Sequence, residues 1–240
     1  MRRRADGGCR WYESLPVPGV RLAVFTRCGA APGLSSPAEA RRAARCLRAS
    51  ALFTLRQVHS DRVVFAAPGC AATLPPRADA LVTSSRGLAL GVRVADCLPV
   101  FVYDSRARAV GIAHCGWRGT LARLAPKLAR AVSRRLAAPP EALRFALGPC
   151  ICPGCYPVGE DVRSAFARAL PGAERFFARR PGRPARHLLD LRGINRWLLS
   201  GLGLAEDGGL ELCSAERPGE LHSFRAGRDA GRELAAITRL

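Results

Sequence analysis

The stretch from residue 52 to residue 114 constrains the fold more than any other part of the chain. It packs six short apolar runs, at 52–58, 62–66, 80–83, 88–95, 99–103 and 109–114, with brief turns between all but the second and third. Runs this short, built of Val, Leu, Ile, Phe and Ala, suit the interior of a sheet. Residues 20–27 alternate as a strand does, and 145–147 add another. Helical periodicity is confined to fewer places: 38–47, 158–170, 194–202 and, most clearly, 120–136. In the last of these Leu121, Leu124, Leu128, Val132 and Leu136 recur at three- and four-residue steps and give one apolar face. Pro126 falls in the first turns of that helix, where a proline is best tolerated. Residues 234–240 fit either a closing strand or a helix, and 29–37 and 179–186 read as loops. Many strands with fewer, non-alternating helices predict an α+β protein. Neither a repeat nor a low-complexity linker interrupts the chain, so one domain over 1–240 is expected.

Charge and cysteine content narrow the class. A net charge of +19 invites a nucleic-acid reading. However, Lys127 is the only lysine among 38 basic residues, and Ala, Gly and Pro are abundant, which points to a genome-wide codon bias. The arginines are scattered and do not alternate with aromatics as a base-stacking platform requires, which argues against nucleic acid. Attraction of small anionic substrates remains open. Ten cysteines without an apolar stretch behind the basic start predict reduced thiols and a cytoplasmic setting. No apolar run reaches the length of a membrane span.

The chain has four histidines, His59, His114, His187 and His222. His59 and His114 each close an apolar run, and Cys97 lies between two further runs. Ends of neighbouring strands can converge at one sheet edge, where two imidazoles and a thiolate would bind one ion and leave a position open, as catalytic zinc sites do. The same donors suit copper. No two of these residues form a short local motif, so buried core histidines and an inert thiol remain the simpler account from spacing alone. A cysteine hydrolase, with Cys97 as nucleophile and His114 as base, uses the same residues.

Longer motifs carry a resemblance. Gln57-Val58-His59, Ala78-Asp79-Ala80-Leu81-Val82-Thr83, Asp96-Cys97-Leu98-Pro99 and Ala113-His114-Cys115-Gly116-Trp117-Arg118-Gly119 follow one another in that order. Leu147-Gly148-Pro149-Cys150-Ile151, Cys155-Tyr156-Pro157-Val158-Gly159 and Ser223-Phe224-Arg225 continue the pattern. Together they resemble the laccase-domain family (YfiH/YlmD-like, once called multicopper polyphenol oxidases) over almost the whole chain. The resemblance implies a four-layer α/β/β/α fold with mixed sheets and a metal, usually zinc, on His59, Cys97 and His114. It also implies phosphorolysis of adenosine, inosine and methylthioadenosine with adenosine deamination. Some relatives are described instead as amidases acting on peptidoglycan precursors. A blue-copper centre plus a three-copper cluster would need far more histidines than four, so one mononuclear centre is expected.

Around that set, Arg118 is expected to hold phosphate or substrate with the amides of the following helix. Gln57, Asp96 and Arg225 are expected at the substrate, although Asp96 could equally orient a ligand. Purine nucleoside and phosphate are the expected partners of a monomer or homodimer. Cys115, beside His114, is expected to point the other way along its strand. Cys150, Cys152 and Cys155 resemble a metal knuckle that lacks a fourth local ligand. His187 reads as structural, and His222 as a residue near the pocket. Two departures from the family pattern bear on substrate choice: a compressed segment at 27–35, and Ala226 where a second arginine is usual.

Overall fold

Fifteen strands form among the described residues; the inner ones are apolar runs that alternate or are buried on both faces, whereas Arg2–Asp6 and Ala205–Gly209 are polar and largely exposed. The computed structural model describes residues 1–6, 8–27, 36–69, 75–180, 182, 186–227 and 231–240. The expected loop at 29–37 and the compressed segment at 27–35 lie almost entirely outside these. The strands are β1 (Arg2–Asp6), β2 (Cys9–Ser14), β3 (Val20–Phe25), β4 (Ala51–Thr54), β5 (Val63–Phe65), β6 (Ala80–Thr83), β7 (Leu88–Val94), β8 (Leu98–Asp104), β9 (Val110–Cys115), β10 (Leu143–Leu147), β11 (Pro157–Gly159), β12 (Phe177–Arg179), β13 (Arg186–Leu189), β14 (Ala205–Gly209) and β15 (Glu233–Arg239). The helices are α1 (Pro37–Cys46), α2 (Trp117–Leu121), α3 (Leu124–Leu136), α4 (Glu160–Ala169) and α5 (Leu191–Ser200).

Two six-stranded sheets run in the orders β1-β2-β3-β15-β7-β4 and β14-β10-β8-β9-β6-β5, and a small sheet runs β11-β13-β12. Both large sheets are mixed. They are antiparallel except where β4 meets β7, β5 meets β6 and β10 meets β14. Three apolar clusters explain why strands such as β3, β8 and β9 are buried along their whole length. One joins Ala43, Cys46 and Leu47 of the α1 region to Phe25, Ala89 and Ala236 of the first sheet. A second joins Leu22, Leu90 and Ile237 of the first sheet to Leu81, Phe101 and Ile112 of the second. The third joins Val100, Ala113 and Phe145 of the second sheet to Leu128 and Val132 of α3 and Ile194 of α5. A strand lying between two such clusters must be apolar on both faces, which erases the alternation of a half-exposed strand. Among the described residues no helix is long and apolar enough to cross a membrane.

Local chemistry fixes the helix starts. Ser36 caps α1 by accepting the Glu39 N–H at 3.3 Å, with Pro37 at the first helical position. Asp190 caps α5 by accepting the Gly193 N–H at 2.8 Å. Of the two readings of 234–240 the strand is the one formed, as β15 over Glu233–Arg239, and that strand is central to the first sheet between β3 and β7.

Three expectations need correction. The helix over 120–136 is two helices, α2 and α3, separated at Arg123, which adopts a left-handed φ of 58°. Pro126 is the reason a single helix from Trp117 fails: inside it, the ring would meet the Ala122 carbonyl, whereas at the third position of α3 no N–H partner is missing. Val158 belongs to β11 instead of the following helix, which begins at Glu160. The strand expected at 52–58 ends at Thr54, so His59 lies beyond it in a turn.

Register places the site. β9 pairs with β8 so that His114 faces Pro99, and with β6 so that Ala113 faces Ala80. Asp79, Cys97 and His114 therefore meet at one end of the second sheet. The glycine in β9 lets α3 settle on that sheet: a Cβ at Gly111 would stand 2.7 Å from Leu128 Cδ1 and 3.0 Å from the Leu81 carbonyl. Gly111→Ala is expected to cost ~1–3 kcal/mol through overpacking, measured as a lowered midpoint in urea unfolding. An unchanged midpoint would show that α3 can retreat freely.

Candidate metal centre

The site is organised by a carboxylate. Asp79 is fully buried at the start of β6 and accepts four hydrogen bonds from the turn that follows β4. The Val58 and Ser60 N–H groups donate to Oδ2 at 3.2 and 2.6 Å, the Ser60 hydroxyl donates to the same oxygen at 2.8 Å, and the His59 N–H donates to Oδ1 at 3.0 Å. This web holds His59 at a left-handed φ of 57°, a conformation that costs on the order of 1 kcal/mol for a residue with a Cβ. On the other side, His114 Nδ1 lies 3.0 Å from Asp79 Oδ1. A carboxylate there keeps the proton on Nδ1 and leaves the Nε2 lone pair for the cleft.

His59, Cys97 and His114 each offer one ligand atom, and these atoms lie within 4.8 Å of one another. The two imidazole rings meet edge to face with centroids 5.0 Å apart. His114 is buried, Cys97 half-buried and His59 exposed, so the set opens to solvent on the His59 side. Gly116 permits this approach: a Cβ there would come within 2.9 Å of Cys97 Sγ and 3.4 Å of the His59 ring. A thiolate and two imidazoles in mutual reach, with one open side, fit a single divalent ion with a free coordination position.

The electrostatics agree with that donor set. Burial works against a charged Cys97, but hydrogen bonds and charge from His114 and His59 prevail and bring its thiol down to about 6. Burial also opposes a charged His114, yet Asp79 and Cys97 raise it to about 9. Burial would raise Asp79, but His114 and Ser60 hold it at about 2. Without an ion the centre is therefore a thiolate and an imidazolium at neutral pH. Cys115 points away into the core beneath α3, where burial pushes its thiol up, and so it is not a fourth ligand.

A cleft of about 560 Å³ lies over the three donors. Arg118 lines it at the start of α2, with its guanidinium 4.5 Å from the Trp117 ring centroid. The expected support from helix amides is weak, because α2 is only five residues long. Gln57 reaches the cleft, but its amide is bonded both ways to the Arg93 backbone, at 2.7 Å each. Asp96, at φ 71°, also reaches it, with its carboxylate accepting from Ser214 Oγ at 2.6 Å, Ser223 Oγ at 2.7 Å and the Arg225 N–H at 2.7 Å. Its position ties the two late loops to the site. Arg225 donates to the Pro157 carbonyl at 2.7 Å and lies over Tyr156. His187 is buried with Nε2 2.6 Å from Glu160, a structural contact, and the His222 ring lies beside Gly231, next to the cleft residue Arg232 but not itself in the lining.

Sequence reasoning missed Asp79, which holds His59 and His114 from behind, and Arg56, Arg93, Arg232, Tyr156 and Phe224, which line the cleft. Asp79 did carry a signal: a carboxylate at the head of an apolar run is buried, and a buried charge needs partners.

A family model described as multi-copper polyphenol oxidoreductase laccase matches residues 37–240. Similar proteins include a purine nucleoside phosphorylase of Deinococcus radiodurans, 40% identical over 178 residues, which make up 74% of this chain and 64% of that one. Another is adenosine deaminase RL5 of an unknown prokaryotic organism, 35% identical over 164 residues, 67% of this chain and 62% of that one. Both matches thus span slightly less than two thirds of the relative's length. The crystal structure of the Bacillus licheniformis hypothetical protein YfiH superposes with a TM-score of 0.85 at 25% identity, covering 99% of each chain.

Two measurements probe the centre. Asp79→Asn is expected to weaken metal binding about 10–100-fold, the usual effect of losing a ligand's carboxylate partner, read by competition with a chelator. In metal-stripped protein, alkylation mapped to Cys97 should rise as pH passes about 6, whereas an ordinary thiol follows near pH ~8.5. Restoring metal should suppress it. A Cys97 that reacts like an ordinary thiol would contradict the charged pair.

Proposed function

The chain belongs to the family described as multi-copper polyphenol oxidoreductase laccase, and from that footing we propose that it is a zinc enzyme of purine nucleoside metabolism. In this reading it splits adenosine, inosine and methylthioadenosine by phosphorolysis and also removes the amino group of adenosine. The observation that carries the proposal is the composition of one cleft. Three metal donors share it with five arginines, Arg56, Arg93, Arg118, Arg225 and Arg232, and with the aromatic rings of Tyr156 and Phe224. Guanidinium groups recognise phosphate oxygens in pairs, and flat aromatic surfaces accept a purine. Four histidines in the whole chain, with His187 bound to Glu160, leave no donor set for a multicopper cluster. The family's copper-oxidase description is therefore not carried over to the chemistry.

His59, Cys97 and His114 would hold the zinc, and copper is the alternative ion for the same donors. When bound, the ion supplies positive charge that stabilises negative charge developing on a reacting oxygen. The rest is done by the chain itself. Asp79 keeps a proton on His114 Nδ1 and so holds its ring in a ligating orientation. Arg118, exposed at the cleft wall, binds phosphate and aims one oxygen at the ribosyl carbon, where the bond to the purine nitrogen breaks. Arg225 braces Tyr156 against the base. Asp96 positions the Ser223–Arg225 segment, and Gln57 fixes the Arg93 strand end, so both act on substrate through neighbours.

A second reading has its own observation. A thiol at about 6 beside two imidazoles is also a nucleophile poised for a cysteine hydrolase or a peptidoglycan-precursor amidase. Metal removal separates the two: chelation abolishes turnover of a zinc phosphorylase and frees the thiolate of a hydrolase.

The decisive assay incubates metal-loaded protein with inosine and adenosine, with and without phosphate. Free base and ribose 1-phosphate are expected only with phosphate, and base release that ignores phosphate would overturn the reading. Arg118→Ala should raise the KM for phosphate about tenfold or more, since a hydrogen bond to a charged group is worth ~1.5–3 kcal/mol. Adenosine deamination, which uses no phosphate, should change less.

A further inference from the structure

We propose that the chain binds a second metal ion, a structural zinc, at Cys152, Cys155, Cys213 and Glu216. One ligand atom from each of these four residues lies within 4.8 Å of all the others. Glu216 Oε1 is 3.4 Å from Cys152 Sγ and 3.5 Å from Cys155 Sγ. A tetrahedral zinc with bonds of about 2.3 Å to sulfur and about 2.0 Å to oxygen has sulfur–oxygen edges of roughly 3.5 Å and sulfur–sulfur edges of roughly 3.8 Å. The two sulfur–oxygen separations to Glu216 match that edge, and all four donor atoms lie close enough to share one ion.

Sequence spacing and backbone geometry support the same site. The donors come as two pairs, Cys152-Pro153-Gly154-Cys155 and Cys213-Ser214-Ala215-Glu216, each with two residues between ligands. That is the spacing of zinc knuckles, and here two half-knuckles face each other. The first is a tight turn in which the Cys155 N–H donates to the Cys152 carbonyl at 3.1 Å. The Cys152 N–H in turn donates to Cys213 Sγ at 3.3 Å, the kind of contact that stabilises a metal-bound thiolate. The two segments are clamped beside the cluster: Cys150 and Cys213 form a parallel bridge, with Cys150 N–H to the Leu212 carbonyl at 3.2 Å and Ser214 N–H to the Cys150 carbonyl at 3.1 Å. A fourth ligand was not visible near Cys150–Cys155 in sequence because Cys213 and Glu216 arrive from some sixty residues further on.

Three thiolates with one carboxylate favour zinc over harder ions, and four protein donors leave no open position. The ion therefore staples instead of reacting. What it staples is the wall of the cleft. Tyr156 follows Cys155 directly, and Ser214, next to Cys213, donates to Asp96. The partly exposed Cys152, Cys155 and Glu216 give the ion a route in.

The test is metal analysis of the full chain purified under reducing conditions. Two equivalents of zinc per chain are expected, falling to one in Cys213→Ser. A double variant, His59→Ala with His114→Ala, should keep one equivalent. Loaded with cobalt(II), that double variant should show the intense near-ultraviolet thiolate-to-metal band of three sulfur ligands. It keeps the proposal testable even if Cys213→Ser does not fold, because all four new ligands remain in it. Metal-free double variant, or an intact mass two units low with a Cys152–Cys155 disulfide under the same reducing conditions, would overturn the site. The first outcome leaves the cluster as packed thiols and the second makes it a redox pair. Neither bears on the His59, Cys97 and His114 centre.

Discussion

The buried carboxylate of Asp79 is the interaction on which the rest of the site depends. A charge in the interior needs hydrogen bonds on most of its lone pairs. Asp79 gets them from the backbone of Val58, His59 and Ser60 and from His114. Satisfying that one charge fixes three things at once. The turn after β4 is pinned to the head of β6, the left-handed backbone of His59 is held, and the imidazole of His114 is oriented. Two sheets contribute to the result, since β4 belongs to the first and β6 and β9 to the second. Two of the three candidate donors, His59 and His114, are thus brought together by the need to satisfy a carboxylate in the interior.

The extent to which the sequence announced this differs from one element to the next. β6, β8 and β9 were legible because continuous short apolar runs can only be buried strands in such a chain. The convergence of His59, Cys97 and His114 was legible through their motifs, but the backbone position of His59 was not. The strand before it stops four residues early, because its turn answers to Asp79, twenty residues away in sequence. The break between α2 and α3 was signalled by Pro126, yet the apolar period runs across it undisturbed, so the pattern favoured one helix. β1 and β2 went unread because the charged residues of Arg2–Asp6 and those around Trp11 and Tyr12 leave no apolar run, and the two strands are held by pairing with each other and, for β2, with β3.

Long-range pairing hid the most. Gln57 and Asp96 look from sequence like groups free to meet a substrate. In the fold their polar atoms are taken by the Arg93 backbone and by Ser214, Ser223 and Arg225. Arg118 and Arg225 stood out through their motifs, but the other arginines of the cleft were indistinguishable from the many others because a codon-biased chain scatters arginine everywhere. Only their arrival around one opening sets Arg56, Arg93 and Arg232 apart.

The placement of β15 has a consequence for how the chain acquires its shape. Residues 233–239 lie between β3, at 20–25, and β7, at 88–94, and separate two strands that otherwise have no edge in common. The first sheet is therefore an arrangement that closes only across very long loops, and loop entropy must be overcome before its pairings reward the chain. The second sheet is different: β6, β8, β9 and β10 are near neighbours in sequence and can pair as they emerge. Synthesis and folding thus run out of step, with one half of the molecule able to form while the other waits for its central strand. In that interval β3 and β7 present open edges, the state in which a chain of this kind is most exposed to pairing with another copy of itself.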